Sequence, residues 1–289
     1  MILLTGATGH IGRELVRELG AARTSFRALV RSAGKAETIR EAGGEAVVGD
    51  YREGAALDSA LRGVDTLFLL TPTEPDRLEV EGRIVEAACN SGASRVVKIS
   101  VMAAGAVSPP LFARQHRDVE RRIEALGLPG TFLRPGYFMQ NYLMFADSIR
   151  SQGALFASVG RGRHADIDVR DIAAVAARTL TEDGHDGRTY QLTGPEAQSF
   201  DDVARKIATI TGRDVRFVDV PPEDARKGMV AAGLTEWLAD GLLEFYAWFQ
   251  RGEGTTIGSA VTPDVEEILD RPPRSFEAFV RENVQIFGG

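Results

Sequence analysis

The sequence has little cysteine, little lysine and no long hydrophobic run. Its 289 residues include one cysteine, Cys89, which excludes an intrachain disulfide and favours a reducing, cytoplasmic location. No apolar run approaches the roughly 18 residues of a membrane-spanning helix, so we expect no membrane partner. The net charge of −7 argues against the basic surface that binds nucleic acid. Lysine contributes four residues and arginine 30.

Short apolar runs alternate with amphipathic helical patterns through the first half of the chain. The runs predict strands at 2–5, 26–30, 45–48, 66–70, 95–100 and 131–134. The patterns between them predict helices at 11–19, 33–42, 55–61, 78–90 and 111–126. Strands that alternate with helices form right-handed crossovers and a parallel sheet. We therefore predict an α/β fold with a Rossmann-type doubly wound parallel sheet.

The alternation changes after about residue 150. We predict a Rossmann core over 1–150 and, over 151–289, a small, mostly helical substrate lobe that packs on the core and contains further sheet elements. Ser199 and Asp202 resemble a capping box that opens a helix ending at Thr211. Thr262 and Pro263 are expected to be the N-cap and first residue of another helix, and the last helix is expected over 275–287.

A glycine-rich turn follows the first predicted strand and opens the first helix. It reads Gly6-Ala7-Thr8-Gly9-His10-Ile11-Gly12. A pyrophosphate needs a tight turn, close backbone approach and free N–H groups at a helix N-terminus, and this turn in a βαβ unit supplies all three. The alternative is a strand-to-helix turn that is simply rich in glycine. We predict dinucleotide binding by Gly6, Thr8, Gly9, His10, Ile11 and Gly12.

Arg31 stands at the end of the second predicted strand, where an NAD-preferring protein usually carries an acidic residue. Its guanidinium suits the 2′-phosphate of NADP, so NADP(H) is favoured over NAD(H). The alternative is an ordinary exposed arginine. Asp50 follows the third strand and is expected near the adenine, or else as a turn residue that caps the next helix.

These residues resemble the NmrA-like group of atypical short-chain dehydrogenases. The glycine turn matches the group's pattern, Ala28-Leu29-Val30-Arg31 is similar to its NADP-type second strand, and further segments occur in the group's order. Those segments are 49–51, 96–100, 133–141, 168–171 and 271–276. The resemblance implies an NAD(P)-binding core and further cofactor contacts at Tyr51, Leu70, Thr71, Ser100, Pro135 and Tyr137.

The wider superfamily uses a Tyr-x-x-x-Lys pair, which this sequence lacks. The residues four after each tyrosine are Ala55, Asn141, Ala146, Gly194 and Gln250. The corresponding helix instead carries His116 near the edge of its apolar face, and Glu120 one turn later. His116 is the candidate proton donor, with a structural histidine as the alternative. Glu120 is expected to form a salt bridge on the helix.

Ser100 ends the fifth predicted strand, where the group's serine falls, so it is the second candidate catalytic residue. Its hydroxyl is predicted to bond a substrate oxygen, or else to satisfy the backbone. The turn from Pro135 to Phe138 is expected to flank the nicotinamide, because ligands bind at the carboxyl ends of strands in such folds.

Aromatic side chains concentrate near the C-terminus. Five of the chain's 21 aromatic residues lie between Trp237 and Phe249. With Tyr137, Phe138, Met139 and Tyr142 they are predicted to form a flat apolar pocket, and Phe138, Trp237 and Tyr246 are the candidate substrate contacts. A helix-packing core or a dimer face is the alternative. No histidine has ligand spacing to a second histidine or to Cys89, so no metal is expected.

Together these features predict an NADPH-dependent oxidoreductase that reduces a quinone or related planar aromatic by hydride transfer. An electron-poor acceptor needs little help from a protein acid, which agrees with the missing Tyr-x-x-x-Lys pair. The resemblance leaves two alternatives: a non-catalytic NADP-sensing regulator, and a tailoring oxidoreductase or hydroxylase component of aromatic polyketide biosynthesis. The expected partner is a small aromatic substrate, and the expected state is a monomer or homodimer.

Overall fold

The computed structural model describes residues 1–289, apart from the side chain of Glu253. Contacts divide the chain into two compact units that interleave in sequence. The first unit comprises 1–101, 115–134 and 169–190, and the second comprises 102–114, 135–168 and 191–289. The predicted division at residue 150 into a cofactor core and a substrate lobe stays a prediction.

A seven-stranded sheet forms the centre of the first unit and ends in a strand that enters the second. Its strands are β1 (Ile2–Leu4), β2 (Phe26–Val30), β3 (Glu45–Val48), β4 (Thr66–Leu69), β5 (Arg95–Ile99), β6 (Gly130–Pro135) and β10 (Thr189–Leu192). Their order is β3-β2-β1-β4-β5-β6-β10, and the pairings from β3 through β6 are parallel. This is the doubly wound Rossmann order, so the predicted fold class is confirmed.

Helices follow the strands of the first unit. They are α1 (His10–Ala21), α2 (Ala33–Glu41), α3 (Gly54–Leu61), α4 (Arg77–Asn90), α5 (Leu111–Ala125, which continues from the second unit) and α7 (Val169–Thr181). The apolar stripe of α1, including Leu15 and Leu19, is buried, because residues three or four apart share one helix face. The predicted helices of the first half lie within three residues of the observed ones at each end.

The second unit combines short sheets with helices. Its strands are β7 (Tyr137–Phe138), β8 (Ala154–Ala157), β9 (Arg163–Ile167), β11 (Ala197–Ser199) and β12 (Arg216–Asp219). They form a sheet of order β11-β9-β7 and a second pair, β12-β8. The helices are α6 (Ala146–Gln152), α8 (Phe200–Thr211), α9 (Pro222–Ala231), α10 (Glu236–Phe249), α11 (Glu253–Thr256), α12 (Asp264–Leu269) and α13 (Phe276–Glu282). Two 3₁₀ segments cover Met102–Gly105 and Met139–Phe145.

The helix boundaries confirm one capping prediction, correct a second and shorten the last predicted helix. Ser199 caps α8 in a full capping box with Asp202, as predicted. Thr262 does not cap α12: its hydroxyl donates to the carbonyl of Gln191, and Pro263 holds the N-cap position. The last helix ends at Glu282, five residues earlier than expected.

The described residues lack two features, a membrane-spanning helix and a cluster of metal ligands. No helix among them combines the length and the apolarity of a membrane span. The same residues contain no group of three or more His, Cys, Asp or Glu side chains arranged to hold a metal ion.

Candidate functional site

The glycine turn after β1 is packed so tightly that two of its glycines cannot carry a side chain. Gly6 has a φ of 67°, and a Cβ there would lie 2.6 Å from the carbonyl oxygen of Leu70. A Cβ on Gly12 would lie 2.1 Å from the carbonyl oxygen of Gly6. The turn therefore needs glycine at both positions, the first for its positive φ and the second for close approach of α1.

The N-terminus of α1 is open to an anionic ligand. Gly9 is the N-cap and provides no side-chain cap, so the N–H groups of the first turn have no side-chain acceptor. Gly9 and His10 are exposed and Thr8 is partly exposed, whereas Ile11 packs into the core. Backbone N–H groups and the helix dipole at such a terminus suit a pyrophosphate. The residues present thus fit the phosphates of a dinucleotide.

Alanine at Gly12 and at Gly9 is expected to separate packing from ligand binding. Gly12→Ala should lower the free energy of unfolding by about 1–3 kcal/mol through overpacking. Gly9→Ala places its Cβ an ordinary 3.5 Å from the Gly6 carbonyl, so its unfolding midpoint should match wild type. NADPH titration should show weaker binding for both variants. Unchanged NADPH binding by Gly9→Ala would argue against phosphate at this turn.

The other predicted cofactor residues of the first unit follow the strands at the same edge of the sheet. Arg31 follows β2 and is exposed, and its positive charge acts on the half-buried Tyr51. Burial raises the pKa of Tyr51, and Arg31 opposes that shift. Asp50 accepts the N–H of Arg52 at 2.8 Å and so holds the turn. It does not cap α3, whose N-cap is Glu53.

Side-chain hydrogen bonds hold the end of β4 to its neighbours. The hydroxyl of Thr5 accepts the N–H of Leu70 at 2.9 Å, and its oxygen lies 3.0 Å from the Leu70 carbonyl. Thr71 donates its hydroxyl to Glu81 at 2.6 Å. Leu70 and Thr71 are thus fixed at the carboxyl end of β4, where the sheet topology places ligands.

His116 lies in a cluster of charged groups between β5, α4 and α5. Its Nδ1 is 3.3 Å from the Nζ of Lys98, and that Nζ donates to Glu81 at 2.5 Å. Lys98 and Glu81 are buried, whereas His116 is partly exposed. Burial lowers the pKa of His116 well below its usual value, and the charges of Arg77 and Lys98 lower it further. His116 is therefore a neutral imidazole near pH 7.

Sequence spacing placed no lysine beside His116 on α5, and the structure brings one there from a strand. Lys98 lies on β5, and Ser100 directly follows that strand. Lys98 contacts His116, and Ser100 contacts Glu120, which is four residues after His116 on α5. The strand period of two and the helix period of about 3.6 bring the two pairs into register. The structure thus forms a His–Lys contact between α5 and β5.

Ser100 and Glu120 form a second buried pair. The Ser100 hydroxyl donates to Glu120 at 2.5 Å. Arg134, on β6, binds both oxygens of the same carboxylate, at 3.0 and 2.5 Å. The expected salt bridge of Glu120 on its own helix is therefore wrong: the partner comes from the sheet. The hydroxyl proton of Ser100 is occupied, so its oxygen would meet a ligand as an acceptor.

Two of the predicted residues of the second unit, Tyr137 and Tyr246, lie in one aromatic cluster. Tyr137 is on β7, and its hydroxyl is 3.4 Å from that of Tyr246 on α10. Burial raises the pKa of Tyr137 well above its usual value, and Tyr246 adds to the shift. Trp237 packs on Phe112 with ring centroids 5.3 Å apart. Phe138 is partly buried and Pro135 is buried.

The end of α10 belongs to the core of the second unit. Trp248 and Phe249 are buried, and their rings pack on each other with centroids 5.4 Å apart. The helix-packing interpretation thus holds for these two residues, while the substrate contacts of Phe138, Trp237 and Tyr246 stay predictions.

The sequence interpretation missed a buried polar cluster on β9. Asp166 accepts hydrogen bonds from Tyr142 at 3.0 Å, Gln198 at 2.6 Å and the Nδ1 of His164 at 2.6 Å. Lys98 was also missed, although a lysine between Val97 and Ile99 in an apolar strand indicates a buried charge. Glu81 sits beside Val80 on the apolar face of α4 and gives the matching signal.

Comparison with known proteins gives the same fold and a family. The NmrA-like family matches residues 1–280. An NAD(P)H azoreductase of Xenophilus azovorans is 38% identical over 288 residues, which cover 100% of this chain and 99% of the relative. The chain belongs to the NmrA-like family.

Two solved structures cover almost the whole chain. An Escherichia coli NADPH-dependent quinone oxidoreductase complexed with NADPH is 28% identical, with a TM-score of 0.86 and 99% of each chain covered. A Citrobacter sp. triphenylmethane reductase complexed with NADP(H) is 26% identical, with a TM-score of 0.84, and covers 97% of this chain and 99% of its own.

Proposed function

We propose that this protein, an NAD(P)H-dependent oxidoreductase, uses NADPH to reduce a quinone or a related planar aromatic by hydride transfer. The observation that carries the proposal is the glycine turn that opens the uncapped α1, with Arg31 at the end of the neighbouring strand. The names of the similar azoreductase, quinone oxidoreductase and triphenylmethane reductase support reduction of an aromatic acceptor.

The cofactor would be held mainly by the carboxyl edge of the parallel sheet. The glycine turn and the first N–H groups of α1 bind the pyrophosphate, and Arg31 binds the 2′-phosphate. Asp50 and Tyr51 lie toward the adenine. The remaining proposed contacts are Leu70, Thr71, Ser100, Pro135 and Tyr137. When bound, the nicotinamide supplies the hydride, and the protein orients it.

His116 is the proposed proton donor to a substrate oxygen. It stands beside the end of β5 and is partly exposed, and we propose that a ligand at that edge reaches its Nε2. The hydroxyl of Ser100 donates a hydrogen bond to Glu120 and so positions that carboxylate, and its oxygen remains an acceptor for a ligand. A cytoplasmic location and a monomeric or homodimeric state stay predictions.

Turnover of a panel of acceptors tests the proposed function. NADPH oxidation should be measured with a quinone, an azo dye, a cationic triphenylmethane dye and a simple aliphatic ketone. We expect turnover of one or more of the conjugated acceptors and little of the ketone, which needs a stronger acid. Absence of turnover throughout, with tight and state-selective binding of NADP⁺ or NADPH, would instead support a regulatory protein.

The proposed preference for NADPH depends on Arg31. Arg31→Ala is expected to weaken NADPH binding about 10- to 100-fold, the value of a charge-assisted hydrogen bond of about 1.5–3 kcal/mol. NADH lacks the 2′-phosphate, so its affinity should change less than twofold. Dissociation constants for both cofactors provide the measurement, with Arg31→Lys as the charge-retaining control. An equal loss for both cofactors would contradict the assignment.

A further inference from the structure

We propose that Lys98 is the positioning residue and proton source of His116, so that the two side chains act as one relay. The proposal rests on the proposed role of His116. Its geometric basis is the 3.3 Å contact between Lys98 Nζ and His116 Nδ1, which joins a strand to the catalytic helix.

The contact fixes which ring nitrogen of His116 carries the hydrogen. An ammonium group has no lone pair, so Lys98 donates and Nδ1 accepts. The neutral ring then holds its hydrogen on Nε2. The carboxylate of Glu81, 2.5 Å from the same Nζ, favours the charged form of Lys98 against the effect of burial.

The other charged groups around the pair act on Lys98 in opposite directions, because Arg77 lowers its pKa and Glu120 raises it. Arg77, buried on α4, lies with its Nε 3.8 Å from Glu81 and acts on His116 with its positive charge. Glu120, on α5, faces Lys98 and favours its charged form. Thr71 donates to the second oxygen of Glu81 and so holds the carboxylate that orients Lys98.

A neutral imidazole is a poor acid by itself, because loss of its Nε2 proton would leave an anion. Lys98 removes this difficulty by donating a proton to Nδ1 as Nε2 gives one up. Burial lowers the pKa of Lys98, which makes the ammonium a better donor. The ring remains neutral before and after the transfer.

The relay balances in protons and electrons. The hydride brings two electrons to the substrate, the substrate oxygen takes the proton of Nε2, and Nδ1 takes a proton from Lys98, which becomes a neutral amine. A solvent proton then adds to Nε2, which is on the partly exposed ring, and Nδ1 returns its proton to Lys98. The net reaction consumes one solvent proton for each hydride.

The tautomer of His116 provides a test that needs no turnover. The chain has four histidines, so ¹⁵N imidazole spectra with His116→Gln as the assignment standard identify its signals. We expect the Nε2–H tautomer in the wild-type protein, with titration displaced below the ordinary range. A wild-type spectrum with the hydrogen on Nδ1 would overturn the proposal, whether or not any acceptor is reduced.

Turnover of the Lys98→Met variant tests the relay itself. We expect about a 10- to 100-fold lower kcat for a quinone, a much smaller fall for a cationic dye that needs no proton, and loss of tautomer selection in the spectrum. The double variant with His116→Ala should be no slower than His116→Ala alone. Lys206→Met is the matched control, because Lys206 pairs with Glu196 and Glu277. Quinone turnover by Lys98→Met within twofold of wild type would overturn the relay.

A variant that fails to fold would leave the spectrum of the wild-type protein as the deciding measurement. Failure of the proposed function has a different signature, since the wild-type protein would then reduce no acceptor while the Nε2–H signal persisted.

Discussion

Replacement of His116 by alanine is expected to lower quinone turnover about 100-fold and to leave turnover of a cationic triphenylmethane dye within about twofold. The two acceptors differ in their need for a proton. A quinone that receives a hydride becomes an oxyanion that must be protonated, whereas a cationic dye carbon becomes a neutral product with no proton transfer. The donor role of His116 therefore predicts a loss for the first acceptor alone.

The measurement is kcat at saturating NADPH for each acceptor, at a pH above about 7, where solvent protons are scarce. His185→Ala is the matched control: His185 bonds Tyr190 at 2.8 Å and belongs to none of the proposed machinery. An equal fall for both acceptors would assign His116 to packing or cofactor placement. An unchanged quinone rate would remove it from the mechanism.

The expected loss follows from where the histidine lies. His116 lies on α5, and burial together with the charges of Arg77 and Lys98 lowers its pKa well below the usual value and so favours the neutral ring. A neutral imidazole can give up its Nε2 proton to an oxygen that becomes negative when Lys98, as we propose, supplies a proton to Nδ1 at the same time. That situation arises with a quinone after hydride transfer, and it favours an electron-poor acceptor over a simple ketone.

Local patterns were sufficient to predict the sheet of the first unit. Strands β1 to β6 are runs of apolar residues, and each occurs within one residue of its predicted ends. The glycine turn was equally predictable from the sequence, because its requirements are local: a positive φ at Gly6 and close approach of the helix at Gly12. Such features depend on neighbours in sequence and therefore leave a signal there.

The short strands of the second unit left a weaker signal. Strand β9 has five residues, and His164 and Asp166 interrupt its apolar pattern although both are buried. In a sequence pattern a polar residue indicates an exposed position unless its buried partners are known. One of those partners, Gln198, is 32 residues from Asp166 along the chain. The segment was therefore not predicted as a strand.

The Lys98–His116 contact was missed for a related reason. The Tyr-x-x-x-Lys pattern has a helical spacing of four residues, whereas Lys98 is 18 residues from His116 and lies on a strand. A tertiary contact of this kind has no sequence period. The available signal was a charge inside an apolar run, matched by Glu81 on an apolar helix face, and two such misfits indicate a buried ion pair.

The second large effect is expected at Asp166, where loss of the carboxylate should destabilise the fold by about 3–5 kcal/mol. Asp166 is 1% exposed and accepts from three side chains, Tyr142, Gln198 and His164. Asp166→Ala leaves all three donors buried without an acceptor, and each unpaired group costs about 1–3 kcal/mol. In a chain of this size the unfolding midpoint should fall by roughly 10 °C.

Tyr142→Phe is the matched control, because it removes one donor and leaves the carboxylate bonded to the other two. Its cost should be about 1 kcal/mol, the net value of one hydrogen bond. Thermal and urea unfolding of the cofactor-free proteins give both values. Similar small losses for the two variants would show that the cluster contributes little. A much larger loss for Asp166→Ala would show that its carboxylate stabilises β9. In that strand Asp166 is in register with Tyr137 on β7. Because the ring of Tyr137 lies 5.0 Å from that of His164, the same loss would loosen one of the proposed cofactor contacts.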